Sequence, residues 1–237
     1  MVDSNKVEAL DLYAKVEDLL GVKDVAPKLY SLFFDILDTL EFKSILDIGC
    51  GSGDFLEEVR RRYEIDIADG IDKSLHMVEI ANSKGLSVTN RDLKEIDNRY
   101  DIVTATFDMV NYLNPEEFIE FFNDLKRVLK EGGYFIFDIN SQFALSQLAV
   151  GNFIAEDNNR FLTIESFYEA GVYDSIFTLF EKSGDCYRKS FDSIRQYYYS
   201  EEFISLLSGW KLKNKFPIKL YEMESDDKIL YILKNIG

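Results

Sequence analysis

Asp47 stands two residues before the first of three alternating glycines in the run Ile45-Leu46-Asp47-Ile48-Gly49-Cys50-Gly51-Ser52-Gly53-Asp54-Phe55. A glycine turn behind an apolar run lets a ligand approach bare backbone. A dinucleotide fingerprint places its third glycine at the sixth position. Counted from Gly49 that position is Asp54, and counted from Gly51 it is Leu56. A carboxylate before the turn is also unfavourable beside a pyrophosphate and suits a cation. Two further acids follow at intervals, Asp72 and Asp92. The first is spaced to accept two ribose hydroxyls. The second can accept from an exocyclic amino group.

These residues need a scaffold that brings loop after loop to one edge. Residues 45–48 read as a buried strand, and residues 54–59 as a helix with acids in its first turn. Residues 65–71 read as a second strand ending at Asp72, with Ser74 capping the next helix. Residues 86–89 form a brief third strand, and residues 100–107 a fourth. Residues 115–129 are an amphipathic helix that Glu131-Gly132-Gly133 is expected to end. Residues 134–140 read as a fifth strand, buried on both faces. Strand and helix alternate at the spacing of a parallel sheet with right-handed crossovers. Upstream, residues 3–20 and 25–40 look helical. After residue 150, residues 161–170, 172–182 and 185–199 are runs rich in aromatic and β-branched residues, split by Ala170-Gly171 and Ser183-Gly184-Asp185. They read as an antiparallel meander attached to the sheet. Ser200 caps a short helix to Leu207, and residues 210–216 and 228–233 close the chain as a strand pair.

Composition narrows the chemistry. The 237 residues are 46% hydrophobic, enough for a full core, and the formal net charge is -16. Nucleic-acid binding calls for a basic stripe, whereas Arg60-Arg61-Arg62 is a short cluster at a helix end that complements the helix dipole. Cys50 and Cys186 are the only cysteines and His76 the only histidine. That leaves no disulfide framework and no zinc pattern, so no metal is expected. A histidine-based nucleophile system would have to use His76, which lies on a helix and is expected at the surface. No signal peptide opens the chain and no apolar run approaches ~20 residues. A reduced, cytoplasmic protein without a membrane partner is expected.

Taken in order, ILDIGCGSGDF, the acid of GIDKS, the RDL segment, YDIVTATFDMVNYL and LKRVLKEGGYFIFDIN resemble the successive motifs of a class I S-adenosylmethionine-dependent methyltransferase, from about residue 40 to 140. FDMVNYL, FDINS and the aromatic meander more narrowly resemble bacterial small-molecule methyltransferases with an antiparallel insertion over the active site. The resemblance implies an α/β, Rossmann-like, doubly wound fold with a mostly parallel seven-stranded sheet and an antiparallel β insertion as cap. It implies one domain over residues 1–237: N-terminal helices to 40, a cofactor-binding core over 41–142, the cap over 143–199, and a final helix and strand pair over 200–237. It implies that Gly49, Gly51 and Gly53 pass beneath the methionine part of the cofactor, with Asp47 setting the loop. Asp72 would take the ribose hydroxyls, with Lys73 and Met77 near the adenine. Asp92 and Leu93 would hold the adenine edge and face, and Phe107 would lie close to the cofactor. The product would be S-adenosylhomocysteine.

Methyl transfer is an in-line displacement at a sulfonium, so the protein must mainly align the acceptor and exclude water. The acceptor-side candidates at strand ends and in the cap are Tyr13, Asp108, Asn111, Tyr112, Asn140, Tyr168 and Tyr197. Where related enzymes carry an aromatic-Asp pair after a Tyr-Ala element, this chain has Tyr13-Ala14 followed by Glu17-Asp18. A carboxylate there could meet a cationic acceptor. The expected partner is a small-molecule methyl acceptor, nitrogen or oxygen, with no nucleic acid; monomer and homodimer stay open. Two other readings are a nicotinamide-dependent oxidoreductase and a non-catalytic S-adenosylmethionine-binding protein.

Overall fold

Alternation of strand and helix builds one seven-stranded sheet in the computed structural model, which describes residues 12–237. The expected helix over residues 3–20 is described only from residue 12: residues 12–16 are helical, and its earlier part lies outside the described residues. The second expected helix is α1 (Val22–Leu37). The strands are β1 (Ser44–Ile48), β2 (Ile67–Ile71), β3 (Ser87–Thr89), β4 (Tyr100–Ala105) and β5 (Leu129–Asn140), with α2 (Asp54–Arg62), α3 (Leu75–Ser83) and α4 (Pro115–Val128) between them. Each helix start has a local cause. Gly53 enters α2 with φ 79°. Ser74 Oγ accepts from Met77 N at 3.4 Å. Asn114 and Glu117 form a reciprocal capping box with Pro115 in the first turn.

The connection after α4 differs from expectation. The helix ends at Val128, and Leu129 already pairs with Tyr100 as the first residue of β5. Glu131-Gly132-Gly133 is therefore a bulge inside the strand, where the register steps from Leu129 to Tyr134. Gly132 takes φ 81° there, which is the glycine signal that also suggests a helix end.

After β5 come β6 (Gly151–Glu156), β7 (Arg160–Glu169), β8 (Val172–Ser183) and β9 (Cys186–Tyr197), then α5 (Glu201–Ser205), β10 (Trp210–Ile218) and β11 (Lys228–Asn235). The large sheet runs β10-β11-β5-β4-β1-β2-β3, and β6 to β9 form a second sheet of their own in sequence order. The meander is thus a separate four-stranded sheet, not an extension of the first. Its extra strand β6 lies on an edge with five of six residues exposed, so it lacks the alternation that marks a half-buried strand. In the large sheet β11 is antiparallel to both neighbours and all other pairs are parallel.

Apolar residues cover both faces of this sheet. Phe118, Phe122, Leu125 and Val128 of α4 pack with Phe135 and Phe137 on one face, and Leu29, Phe33, Phe55 and Leu56 pack with Ile45 and Ile136 on the other. Each such side chain contributes roughly 1.5–3 kcal/mol by leaving water. A third cluster joins Leu12 and Val16 to Leu162, Phe177, Leu179 and Ile194 of the cap sheet. Arg160 reinforces it, donating to Lys15 O at 2.7 Å and to Asp18 at 2.6 Å.

Tyr231 is fully buried and stacks on Phe137, and its hydroxyl has no hydrogen-bond partner among the described residues. Such a group costs about 1–3 kcal/mol of desolvation. Tyr231→Phe is expected to keep or raise the denaturation midpoint in urea. A loss above ~1 kcal/mol would show that the hydroxyl is bonded after all.

Candidate active site

The strand order reverses at β1 and β4, and an open α/β sheet binds its ligands outside the carboxyl ends of its strands at that point. Asp47 lies in β1 with no exposure; Thr104 of β4 donates to its Oδ1 at 2.7 Å, and its buried Oδ2 has no partner among the described residues. Burial pushes the Asp47 carboxyl up to about 7, against the Thr104 hydrogen bond and aided by the negative charge of Asp72. An unpaired, buried carboxylate oxygen is costly unless a donor arrives.

The three glycines play different parts. At Gly51 (φ 52°) a Cβ would meet nothing within 4 Å, so bare backbone fronts open space. At Gly53 a Cβ would collide with Leu86 and press on Ala81 of α3, so that glycine allows close packing of the helix behind the turn. Gly49 is closed by the Met109 side chain. Asp72, after β2, holds the turn: Gly51 N donates to its Oδ2 and Ser74 N to its Oδ1, both at 2.8 Å. Asn90, which sequence reasoning did not single out, donates to the Asp72 and Lys73 carbonyls at 2.8 and 2.6 Å and ties β3 to β2.

The other cofactor-side candidates divide. Met77 is buried behind Ser74, and Lys73 is exposed. The exposed Asp92 lies 3.6 Å from Lys94, and its backbone N donates to Glu95 Oε2 at 3.0 Å. Leu93 is buried in the core cluster that α4 builds. Phe107 stands at the end of β4 with φ 56°, edge-on to Tyr30 of α1 at 5.8 Å. Burial and then the Asp47 charge raise the Tyr30 phenol well above its usual range.

Asp108 follows Phe107 with φ 51°, so two consecutive non-glycine residues are left-handed, a conformation costing roughly 1–3 kcal/mol each. A polar network holds them. Asp108 N donates to Asp138 Oδ2 at 3.0 Å. Lys228 Nζ donates to Asp108 Oδ1 at 2.5 Å and to Asp138 Oδ2 at 2.9 Å. Gln196 of the cap sheet donates to Asp108 Oδ2 at 2.6 Å and accepts from Asn140 Nδ2 at 3.2 Å. Asn111 donates to Tyr197 O at 2.7 Å and accepts from Asn140 N at 2.9 Å. Burial works against the Lys228 ammonium, but Asp108 and Asp138 outweigh it and keep its pKa above the usual lysine range. Burial raises the Asp138 carboxyl, partly countered by Lys228.

Of the acceptor-side candidates, the structure joins Asp108, Asn111 and Asn140 through these bonds, and Tyr112 through Gln196. Tyr13 packs edge-on to Phe177 at 6.3 Å, and its phenol is raised first by burial and then by the Asp108 charge. Tyr197 enters through its backbone carbonyl. Tyr168 sits apart, beside Tyr198 and Gln142. Asp18 faces Arg160, and Glu17 lies 3.2 Å from Lys23. Lys228, Asp138, Gln196 and Tyr30 carried no sequence signal as site residues, although Asp138 ends the buried FIFD run at the same strand edge as Asp108. His76 is exposed on α3. Among the described residues no group of three or more His, Cys, Asp or Glu is disposed to hold a metal, and no helix is long and apolar enough to cross a membrane.

Residues 45–133 match the family pattern described as a methyltransferase domain. A crystal structure of an S-adenosylmethionine-dependent methyltransferase from Clostridium acetobutylicum superposes with a TM-score of 0.79 at 25% identity, covering 96% of this chain and 99% of that one. The chain carries a class I methyltransferase domain. A putative methyltransferase of Geobacillus sp. (strain WCH70) is 28% identical over 56% of this chain and 57% of its own length. A tRNA N(3)-methylcytidine methyltransferase of Schizosaccharomyces pombe is 28% identical over 69% of this chain and 57% of its own length. The chain thus spans little more than half the length of these two curated relatives. The methyltransferase domain carries the Asp47 turn, Asp72, Asp92 and Asp108, while Asp138, Gln196 and Lys228 come from beyond the matched stretch.

Asp47 sets a pH signature for the domain. Its folded pKa is raised above the usual carboxylate value, so the folded state binds the extra proton between about pH 4 and 7. Stability from this group is greatest at low pH and falls as pH rises through 7. Asp47→Asn, which keeps an acceptor for Thr104, is expected to raise the thermal midpoint at pH 8 and change it little at pH 4. Equal effects at both pH values would contradict the assignment.

Proposed function

We propose that this chain transfers the methyl group of S-adenosylmethionine to a small-molecule acceptor held between the large sheet and the cap sheet. The carrying observation is the Asp47 carboxylate, buried with one oxygen unpaired, next to a turn whose Gly51 backbone fronts open space. That pair fits a ligand with a cationic amino group and a close-lying chain. Asp72 would accept the ribose hydroxyls, Asp92 would face the adenine edge, and Phe107 would flank the sulfonium. Bound there, the cofactor supplies an electrophilic methyl group.

This chain's own residues then orient the nucleophile. Asp108 and Gln196 offer hydrogen bonds to an N–H or O–H group, while Tyr13 and Tyr112 wall the space. Burial first, with the Asp108 charge as a further cause, raises the phenols of Tyr13, Tyr112, Tyr173 and Tyr221, so all four lie within electrostatic reach of that carboxylate. Orientation of this kind can lower a barrier by about 7 kcal/mol or more in favourable cases. The net charge of -16 supports a small neutral or cationic acceptor over a polyanion. A relative that is a tRNA methyltransferase makes transfer RNA the reading to test against it.

The test has two stages. Calorimetry with S-adenosylhomocysteine should show 1:1 binding that strengthens from pH 6 to pH 8 as Asp47 ionises, and that loses this slope in Asp47→Asn. Asp72→Ala should weaken it by about tenfold or more, the loss of ~1.4 kcal/mol or above. Methyl-labelled S-adenosylmethionine is then offered with a panel of small amines, a panel of small hydroxy compounds and bulk tRNA. Label in a small molecule is the expected outcome. Label in tRNA alone would refute the acceptor assignment, and tight binding without label in any of them would favour a non-catalytic binder.

A further inference from the structure

We propose that Lys228 is a positioning residue, which locks the Phe107–Asp108 turn and aims the Asp108 carboxylate at the acceptor. This rests on the reading of Asp108 as the acceptor-side carboxylate. Lys228 is 1% exposed, among the least exposed side chains of the described residues. Burying an ammonium costs several kcal/mol unless partners compensate, so its placement needs a reason. It is the first residue of β11, the one strand that runs against its neighbours, and it pairs with Asn140 at the end of β5. Reversal of that strand brings the start of β11 to the edge where β1, β4 and β5 end.

From there the ammonium bridges two carboxylates with different tasks. Asp138 is fully buried and its Oδ2 takes both Lys228 Nζ and the Asp108 backbone N–H. It therefore anchors the turn. Asp108 Oδ1 takes the ammonium, and its Oδ2 takes Gln196 from the cap sheet. Without Lys228, two carboxylates would face one another across the turn, and the left-handed backbone at 107 and 108 would keep only the bonds of Asp108 with Asp138, Asn111 and Gln196. The third neighbour of the ammonium is the Phe107 ring, 5.9 Å away. One buried cation thus ties the cofactor-side aromatic ring, the acceptor-side carboxylate and, through Gln196, the cap. It acts through Asp108.

The test uses Lys228→Met and, because that variant leaves a net buried charge, the charge-reduced pair Asp138→Asn/Lys228→Met. Both leave Asp108 intact. With a small acceptor from either panel found to be methylated by the wild-type protein, kcat in both is expected to fall by at least ~30-fold and to fall more than KM rises, the mark of lost alignment. S-adenosylhomocysteine affinity should stay within about 3-fold, since the Gly51 turn is held by Asp72. A crystal structure of the double variant with S-adenosylhomocysteine should show Asp108 off Gln196 or the turn out of its left-handed form. Retained kcat in the folded double variant overturns the proposal, as does an unmoved Asp108. If the wild-type protein methylates no small molecule in either panel, the small-acceptor reading fails and the crystal structure alone decides the role of Lys228.

Discussion

A single ammonium between two carboxylates organises the edge of this molecule where β4 and β5 end. Lys228 sits where the large sheet, the strained turn after β4 and the cap sheet come together: the sheet contributes Asp138 Oδ2, the turn both Asp108 carboxylate oxygens and its amide, and the cap sheet the Gln196 side chain. The desolvation cost of three ionisable groups is offset by short, directed bonds in a low-dielectric interior. A cluster of this kind tolerates little displacement. It converts the approximate meeting of two sheets into a fixed geometry around Asp108, which hydrophobic packing alone would leave looser.

Around Asp47 no such network forms among the described residues. There, as at Asp138 Oδ1 within the cluster, a buried carboxylate oxygen lacks a partner among the described residues. Asp47 is buried beside Thr104 with a spare oxygen, and the glycine turn next to it exposes backbone at Gly51. The folded protein carries this deficit as lost stability, and a ligand bearing a donor relieves it. Stability and binding are thereby set against one another at one residue, as is common where a site is prepared in advance.

The alternating half of the fold was readable because its signals are local. An apolar run, a glycine, an acid and an amphipathic helix follow one another within thirty residues, and residues 45–107 form strands and helices close to where periodicity places them. Two readings failed for physical reasons. Gly132-Gly133 serves equally well as a helix stop and as a strand bulge, and sequence does not separate the two. The edge strand β6 has almost no buried side chain, so no alternation announces it. The glycines, Asp72, Asn111 and Asp108 could be picked out because they follow strands in one recognisable series. Lys228, Gln196 and Asp138 could not, because their meaning arises only when a reversed strand and a second sheet fold back onto the first. A buried lysine in KILYILKN looks like any edge cation until Asp108 and Asp138 are placed beside it.

The separation of those partners along the chain has a kinetic side. Asp47, the glycine turn and Asp72 lie within 26 residues and close through neighbouring parallel strands. Asp108 and Lys228 are 120 residues apart, and Gln196 is 88 from Asp108. Contacts of such span form late, after the intervening loop entropy has been overcome. The topology thus divides the molecule into a cradle closed by short-range contacts and an opposing wall closed by long-range ones, and the bonds from Lys228 and Gln196 to the Phe107–Asp108 turn belong to the second.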